Sequence, residues 1–284
     1  MTPEQRYLLD LTGYLHLPGV LAGDELASAQ EAADRYISLS PDEWPPGFGA
    51  DLERQDHTSY YHGFAFDRTL EVLTRHPATW PILMELTDYR PRLTSGTLMR
   101  NRHGHLFHPL HAGWNYNHRP DTRRLWVEDG KMRCTDFIFF FYLTDVLPGD
   151  GGFMVLPGSH KSNFPKPKDM FYTDTYYLPD VVADEVHPGV ANLTARAGDV
   201  LIASERLIHG ALTWQPQDRE RRFLTLRYGV QHTVSSSLRP FSDEIRARLS
   251  PATLELIELA PYNHVKEIVS ERCGDSFQGH AFEN

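Results

Sequence analysis

Residues 137–143 read Phe-Ile-Phe-Phe-Phe-Tyr-Leu, seven apolar side chains in succession. A strand with one face in water alternates polar and apolar residues, because neighbouring side chains point to opposite faces. This run does not alternate. It predicts a strand buried on both faces, which needs cover on each side. Turn signals punctuate the chain after it. Asp150-Gly151-Gly152 precedes Phe153–Leu156, which Pro157-Gly158 stops; Ala197-Gly198-Asp199 precedes Val200–Ala203; a last strand spans 223–230. Short strands at such intervals, beginning near Leu93, predict a β-sandwich or barrel.

Helices flank this part. Residues 3–11 and 24–38 carry helical spacing, the second with Asp24 as N-cap and Leu26, Ala29 and Ala33 on one face. Tyr14–Leu17 reads as a short strand, 40–65 as a loop, 68–87 as a helix broken near Pro77 and Pro81, and 162–192 as an excursion from the sheet. Two further helices fall at 243–249 and 251–259. The expectation is one domain over 1–284: a helical part to about 90, a β core over about 91–235 and a helical tail. Hydrophobic residues at 40% suffice for a sizeable core, and no apolar run is long enough for a membrane helix. The net charge of −10 argues against a nucleic acid polymer as partner. The first residues show no signal-peptide pattern, and two cysteines, Cys134 and Cys273, make no disulfide framework, although one bridge stays open. A cytoplasmic protein is expected.

Histidine is the outlier. Five of the 15 fall between His103 and His118. A further one, His209, follows the strand 200–203, and Arg221 and Arg222 come 12 and 13 residues later, opening the last strand. A His and an Arg so placed can share one cavity of a small barrel. Imidazole suits iron(II), and guanidinium grips a carboxylate with two parallel bonds. The pair therefore suits iron chelated by 2-oxoglutarate, although such a pair taken alone is more often structural.

A wider pattern comprises Gly13-Tyr14-Leu15 with Leu17–Leu21, Tyr142–Asp145, Pro148–Phe153, Pro157–Phe164, Ala197–Val200, His209-Gly210 and Arg221-Arg222. This pattern resembles the phytanoyl-CoA dioxygenase family. It implies a mainly β, jelly-roll (double-stranded β-helix, cupin-like) core, with iron(II), 2-oxoglutarate and oxygen as cofactor and co-substrates. By the same resemblance His209 is the distal iron ligand and Arg221 the 2-oxoglutarate clamp, with Arg222 as alternative. The family's first ligand motif is His-X-Asp. Its best match here is His111-Ala112-Gly113, 98 residues before His209. Gly113 stands where the aspartate is expected and supplies no ligand. The halogenases that resemble this arrangement place chloride there, so the resemblance implies a halogenase acting on an unactivated C–H bond of a small metabolite, nucleotide-like phosphorylated molecules included.

Other assignments stay open. His118 with Asp121 forms a second ligand pair, and His105 and His108 are near. Asp136 or Glu205 could supply a carboxylate, which would favour hydroxylation. Arg123, Arg124 and Trp114 are the substrate candidates; Arg100, Arg102 and Trp126 flank the same region. His16, His76, His160 and His264 read as ordinary residues. A different class, a metal-binding jelly roll without catalysis, is disfavoured because a module without co-substrate has no use for the Arg.

Overall fold

The computed structural model describes residues 1–53, 56–105, 108–111, 125–164, 188–233 and 240–273. Helix α1 (Pro3–Thr12) begins with a reciprocal cap, in which the Thr2 hydroxyl accepts from the Gln5 N–H and the Gln5 side chain accepts from the Thr2 N–H. Strand β1 (Tyr14–Leu17) and helix α2 (Gly23–Ser38) follow. The N-cap of α2 is Ala22, and Asp24 falls one place inside the helix, where its charge still favours the first turn. Next come β2 (Ala50–Asp51), β3 (His57–Tyr61), α3 (Arg68–Glu71) and α4 (Trp80–Leu86). The expected helix over 68–87 is therefore two helices, and a single 3-10 turn over Val72–Arg75 extends the first.

The β part contains β4 (Pro91–Asn101), β5 (His108–His111), β6 (Leu125–Glu128), β7 (Lys131–Cys134), β8 (Asp136–Tyr142) and β9 (Gly152–Val155). It continues with β10 (Ala191–Asn192), β11 (Val200–Ser204), β12 (His209–Leu212) and β13 (Arg221–Val230). Helices α5 (Asp243–Arg246), α6 (Pro251–Ile257) and α7 (Glu267–Cys273) end the described chain. The major sheet runs β1-β11-β8-β13-β4-β3-β2 and the minor sheet β10-β9-β12-β5, with every pairing antiparallel. β6 and β7 make a separate hairpin. This is the jelly roll expected.

Strand β8 lies inside the major sheet, between β11 and β13. Phe137, Phe139 and Phe141 pack with Leu224, Leu226 and the helical layer of Leu9, Ala29, Tyr36 and Leu83. Ile138, Phe140 and Tyr142 pack with Phe153 and Val155 of the minor sheet and with Phe223. One face meets helices and the other meets a second sheet, which is why no position of the run is polar. Cys134 is a buried free thiol whose Sγ donates to the Asp136 carbonyl at 3.2 Å.

The structure corrects the expectation of a loop over 40–65. Strand β3 pairs with β4 from His57↔Asn101 to Tyr61↔Thr97. Tyr60 joins the core under the helices, while His57, Ser59 and Tyr61 face a cavity. The cavity-facing residues of this strand, His57, Ser59 and Tyr61, make no aliphatic stripe, so its pattern resembles a loop. The tail is tied down by Lys266, only 1% exposed, whose ammonium donates to the carbonyls of Pro91 (3.0 Å), Leu256 (3.2 Å) and Glu258 (2.9 Å). No helix among the described residues is long and apolar enough to cross a membrane. Residues 165–187, most of the expected excursion, lie outside the described residues.

Candidate active site

A cavity of about 650 Å3 opens between the two sheets, and His111, His209 and Arg221 all line it. His111 closes β5 and His209 opens β12; they are register partners on neighbouring strands. Their ring centroids are 4.3 Å apart. A bulge between His209 and Ala211 lets the strands converge here. Gly210 permits it: a Cβ at that position would sit 2.4 Å from the His108 carbonyl oxygen and 3.0 Å from that of Pro109. No side chain fits between backbones so close.

Each imidazole is held by the chain in one tautomer. His111 Nδ1 lies 3.0 Å from the Pro109 carbonyl and His209 Nδ1 2.7 Å from the Leu207 carbonyl. A carbonyl only accepts, so Nδ1 carries the proton and Nε2 keeps its lone pair. Burial pushes the His111 pKa down to about 3, helped by the neighbouring His209 and His108. Burial also lowers His209, partly opposed by the charge of Glu205. Both rings are neutral at pH 7, the form that binds a metal. Among the described residues, no group of three His, Cys, Asp or Glu forms a cage. Two tautomer-locked imidazoles fit iron(II) as a pair that leaves its remaining positions to other ligands.

Arg221 faces the cavity from the first residue of β13 and is 3% exposed. Its guanidinium carbon lies 4.3 Å from the Phe223 ring centroid and 5.9 Å from that of Tyr142. The backbone of Gly152, in the left-handed region at φ 79°, packs so closely that a Cβ there would be 3.2 Å from Nε. The Arg221 Nε has no hydrogen-bond partner, and no ion pair to a described residue neutralises the side chain. A buried cation without an anion is costly. A dicarboxylate entering the cavity would supply the missing charge and two parallel acceptors, so the site fits 2-oxoglutarate. Arg222, one residue on, points to the opposite face of β13, pairs with Asp34 of α2, and its N–H donates to the Thr144 hydroxyl at 2.8 Å.

The other sequence candidates separate. Gly113, Trp114, His118, Asp121, Arg123 and Arg124 lie outside the described residues. His108 sits beside His111, with ring centroids 4.4 Å apart. His105 instead stacks on His57 at 4.7 Å, its Nδ1 3.3 Å from Asp56 Oδ2, and burial pushes its pKa down to about 3. Arg100 grips Glu220 through two bonds, of 2.9 and 2.5 Å, with Arg102 on the same carboxylate. Trp126 is on the β6–β7 hairpin, 39% exposed. Glu205 pairs with Arg227 at 2.8 Å. His16 pairs with Asp199, His76 with Glu25, and His160 bonds the Asp10 carbonyl. Among the cavity residues that sequence reasoning missed are His57, Asn101 and Arg227. The alternation along β13 carries the signal for the last, because Arg221, Phe223, Thr225 and Arg227 share one face.

Comparison with known proteins matches this arrangement to a family. The profile described as phytanoyl-CoA dioxygenase (PhyH) covers residues 9–222. The ectoine dioxygenase of Stutzerimonas stutzeri (strain A1501) is 28% identical over 152 residues, 52% of this chain and 47% of its own; the chain thus spans about half the length of the curated relative it matches. The crystal structure of HygX from Streptomyces hygroscopicus with nickel, 2-oxoglutarate and hygromycin B bound is 25% identical with a TM-score of 0.68, covering 87% of this chain and 94% of HygX. The 2-oxoglutarate-dependent carbocyclase SnoK from nogalamycin biosynthesis shares the fold at 21% identity and a TM-score of 0.57, covering 88% of this chain and 92% of SnoK.

Proposed function

This chain belongs to the phytanoyl-CoA dioxygenase family, and on that premise we propose that it is an iron(II)- and 2-oxoglutarate-dependent oxygenase, with His111 and His209 on the iron and Arg221 on the far carboxylate of 2-oxoglutarate. The observation that carries the reading is the buried guanidinium of Arg221, without an ion pair among the described residues, in one cavity with two neutral, tautomer-locked imidazoles. When bound, iron(II), 2-oxoglutarate and oxygen supply functionalisation of an unreactive C–H bond. The chain's own part is to position and to exclude. The Pro109 and Leu207 carbonyls orient the two rings. The Gly152 backbone and the Phe223 ring hold the guanidinium. Phe140 and Phe153 make one wall of the cavity apolar.

Within that class the halogenase reading rests on Gly113. Glycine brings no carboxylate, and chloride is the ligand that would take the vacant place. The substrate is then a small molecule. The polar wall of Ser59, Thr94, Ser95 and Thr97, and the binding of hygromycin B by HygX, favour a hydrophilic one. Trp114, Arg123 and Arg124 remain the candidates to contact it. The likeness to ectoine dioxygenase favours a second reading, hydroxylation by the same site.

Succinate formed from 2-oxoglutarate by the iron-loaded chain, and lost in His209→Ala, tests the oxygenase class. Mass spectrometry of the product at saturating chloride separates the two readings by the chlorine isotope pattern. Gly113→Asp is expected to end chlorination by filling the place with an anionic oxygen. Alcohol as the sole wild-type product would refute the halogenase assignment.

A further inference from the structure

Arg221, Asn101 and His57 stand on one rung of the major sheet. Arg221 is the register partner of Asn101 across β13 and β4, and Asn101 is that of His57 across β4 and β3. Side chains so paired project to the same face, with Cβ atoms about 5 Å apart, and all three line the cavity. Asn101 is 2% exposed. Its Nδ2 donates to His57 Nδ1 at 3.2 Å. An amide nitrogen only donates, so the His57 proton sits on Nε2 and donates to the Ser59 hydroxyl at 2.9 Å. Ser59 in turn donates to the Met99 sulfur at 3.4 Å. Asn101 Oδ1 has no hydrogen-bond partner among the described residues. A buried acceptor left idle costs free energy.

We propose that Asn101 is a second contact, beside Arg221, for the far carboxylate of 2-oxoglutarate, and that binding turns its amide over. The inference rests on the reading of Arg221 as the clamp. As the amide stands, its acceptor is idle and its donor is spent on His57. Turned over, Nδ2 donates to the carboxylate and Oδ1 accepts from His57. His57 then carries its proton on Nδ1, and its Nε2 accepts from the Ser59 hydroxyl. The ring stays neutral: one proton leaves Nε2 for solvent and another returns at Nδ1. The His105 ring, stacked on His57 at 4.7 Å, holds it in place while the proton changes sides. Ser59 exchanges sulfur, a weak acceptor, for a ring nitrogen. The idle oxygen gains a donor, and the carboxylate gains a charge-assisted hydrogen bond.

The test uses the full chain loaded with diamagnetic Zn(II) and two probes, 2-oxoglutarate and 2-oxopentanoate, which has a methyl group in place of the far carboxylate. Long-range proton–nitrogen NMR of the otherwise unaltered chain reports the His57 tautomer, its signal identified by its loss in His57→Gln. 2-Oxoglutarate is expected to move the proton from Nε2 to Nδ1, and 2-oxopentanoate to leave it on Nε2. Calorimetry reads the affinities. Asn101→Leu is expected to weaken 2-oxoglutarate by about ten-fold or more, the scale of a hydrogen bond to a charged group, and 2-oxopentanoate by less than about two-fold. A merely structural role for Asn101 would weaken both probes alike. The NMR experiment needs no change at Asn101, so it decides even where Asn101→Leu does not fold. A His57 tautomer indifferent to 2-oxoglutarate would overturn the proposal, as would equal losses for the two probes or an unchanged affinity in folded Asn101→Leu. A wild type that does not bind 2-oxoglutarate, or an Arg221→Met variant that binds it equally well, would instead overturn the clamp reading, and this inference with it.

Discussion

Replacing Arg221 by Met should have opposite effects on the empty and the loaded protein. In the empty protein the guanidinium is 3% exposed and has no ion pair among the described residues, so an apolar chain of similar length should leave stability unchanged or raise it. In the loaded protein the same change removes the partner of a carboxylate. Removing one member of a buried charged pair costs about 3–5 kcal/mol, and about 3 kcal/mol already weakens 2-oxoglutarate binding by roughly 150-fold. Linkage turns that into a thermal signal. At 100 times its dissociation constant a ligand stabilises the native state by about 2.7 kcal/mol, and each kcal/mol is about 2–4 °C for a chain approaching this size. The wild type with Co(II) should therefore gain about 5–10 °C from saturating 2-oxoglutarate. Arg221→Met should gain almost nothing at the same concentration, and Arg222→Met, whose side chain pairs with Asp34, should keep the full gain. Differential scanning fluorimetry with and without 2-oxoglutarate reads all three. An Arg221→Met protein that keeps the wild-type shift would refute the assignment of the clamp, and a loss in Arg222→Met would move the clamp by one residue.

Three further outcomes follow from the same geometry. Gly210→Ala should cost about 1–3 kcal/mol by forcing β5 and β12 apart, and should weaken Co(II) binding together with stability, read by chemical denaturation and calorimetry. Lys266→Met, by removing the ammonium shared by three carbonyls, should destabilise the fold by about 3 kcal/mol and loosen the tail, which hydrogen exchange across α6 and α7 would locate. Burial lowers the His160 pKa from 6.5 to about 4, so above pH 6.5 the ring is neutral folded or unfolded, whereas between 6.5 and 4 the unfolded chain takes up the proton first and stability falls with pH. His160→Gln should flatten part of that fall in urea midpoints measured across the window, the remainder belonging to the other buried imidazoles.

The strand at 137–143 and the helices α1 and α2 were legible because they depend on the chain's own periodicity: an all-apolar run needs two covers, and a 3.6-residue stripe needs one. The His209–Arg221 spacing likewise suggested that the two side chains share one cavity, which they line from strands of different sheets. Strand β3 was not legible, because its cavity-facing residues, His57, Ser59 and Tyr61, make no aliphatic stripe. Strand β12 was not legible either: four residues show no period, and it exists through β5 and β9, about 100 and 55 residues away in sequence. Arg221 and Arg222 are chemically identical neighbours, and local sequence cannot rank them. The pairing of β13 with β4 and β8 sets which face of the strand looks into the cavity, and so which arginine lines it and which pairs with Asp34 outside it. The same holds for Glu205, whose ion pair with Arg227 depends on where the pairing of β13 carries that arginine. Periodicity belongs to a segment and can be read from it, whereas charge pairing across strands belongs to the register and exists only once the sheets have formed.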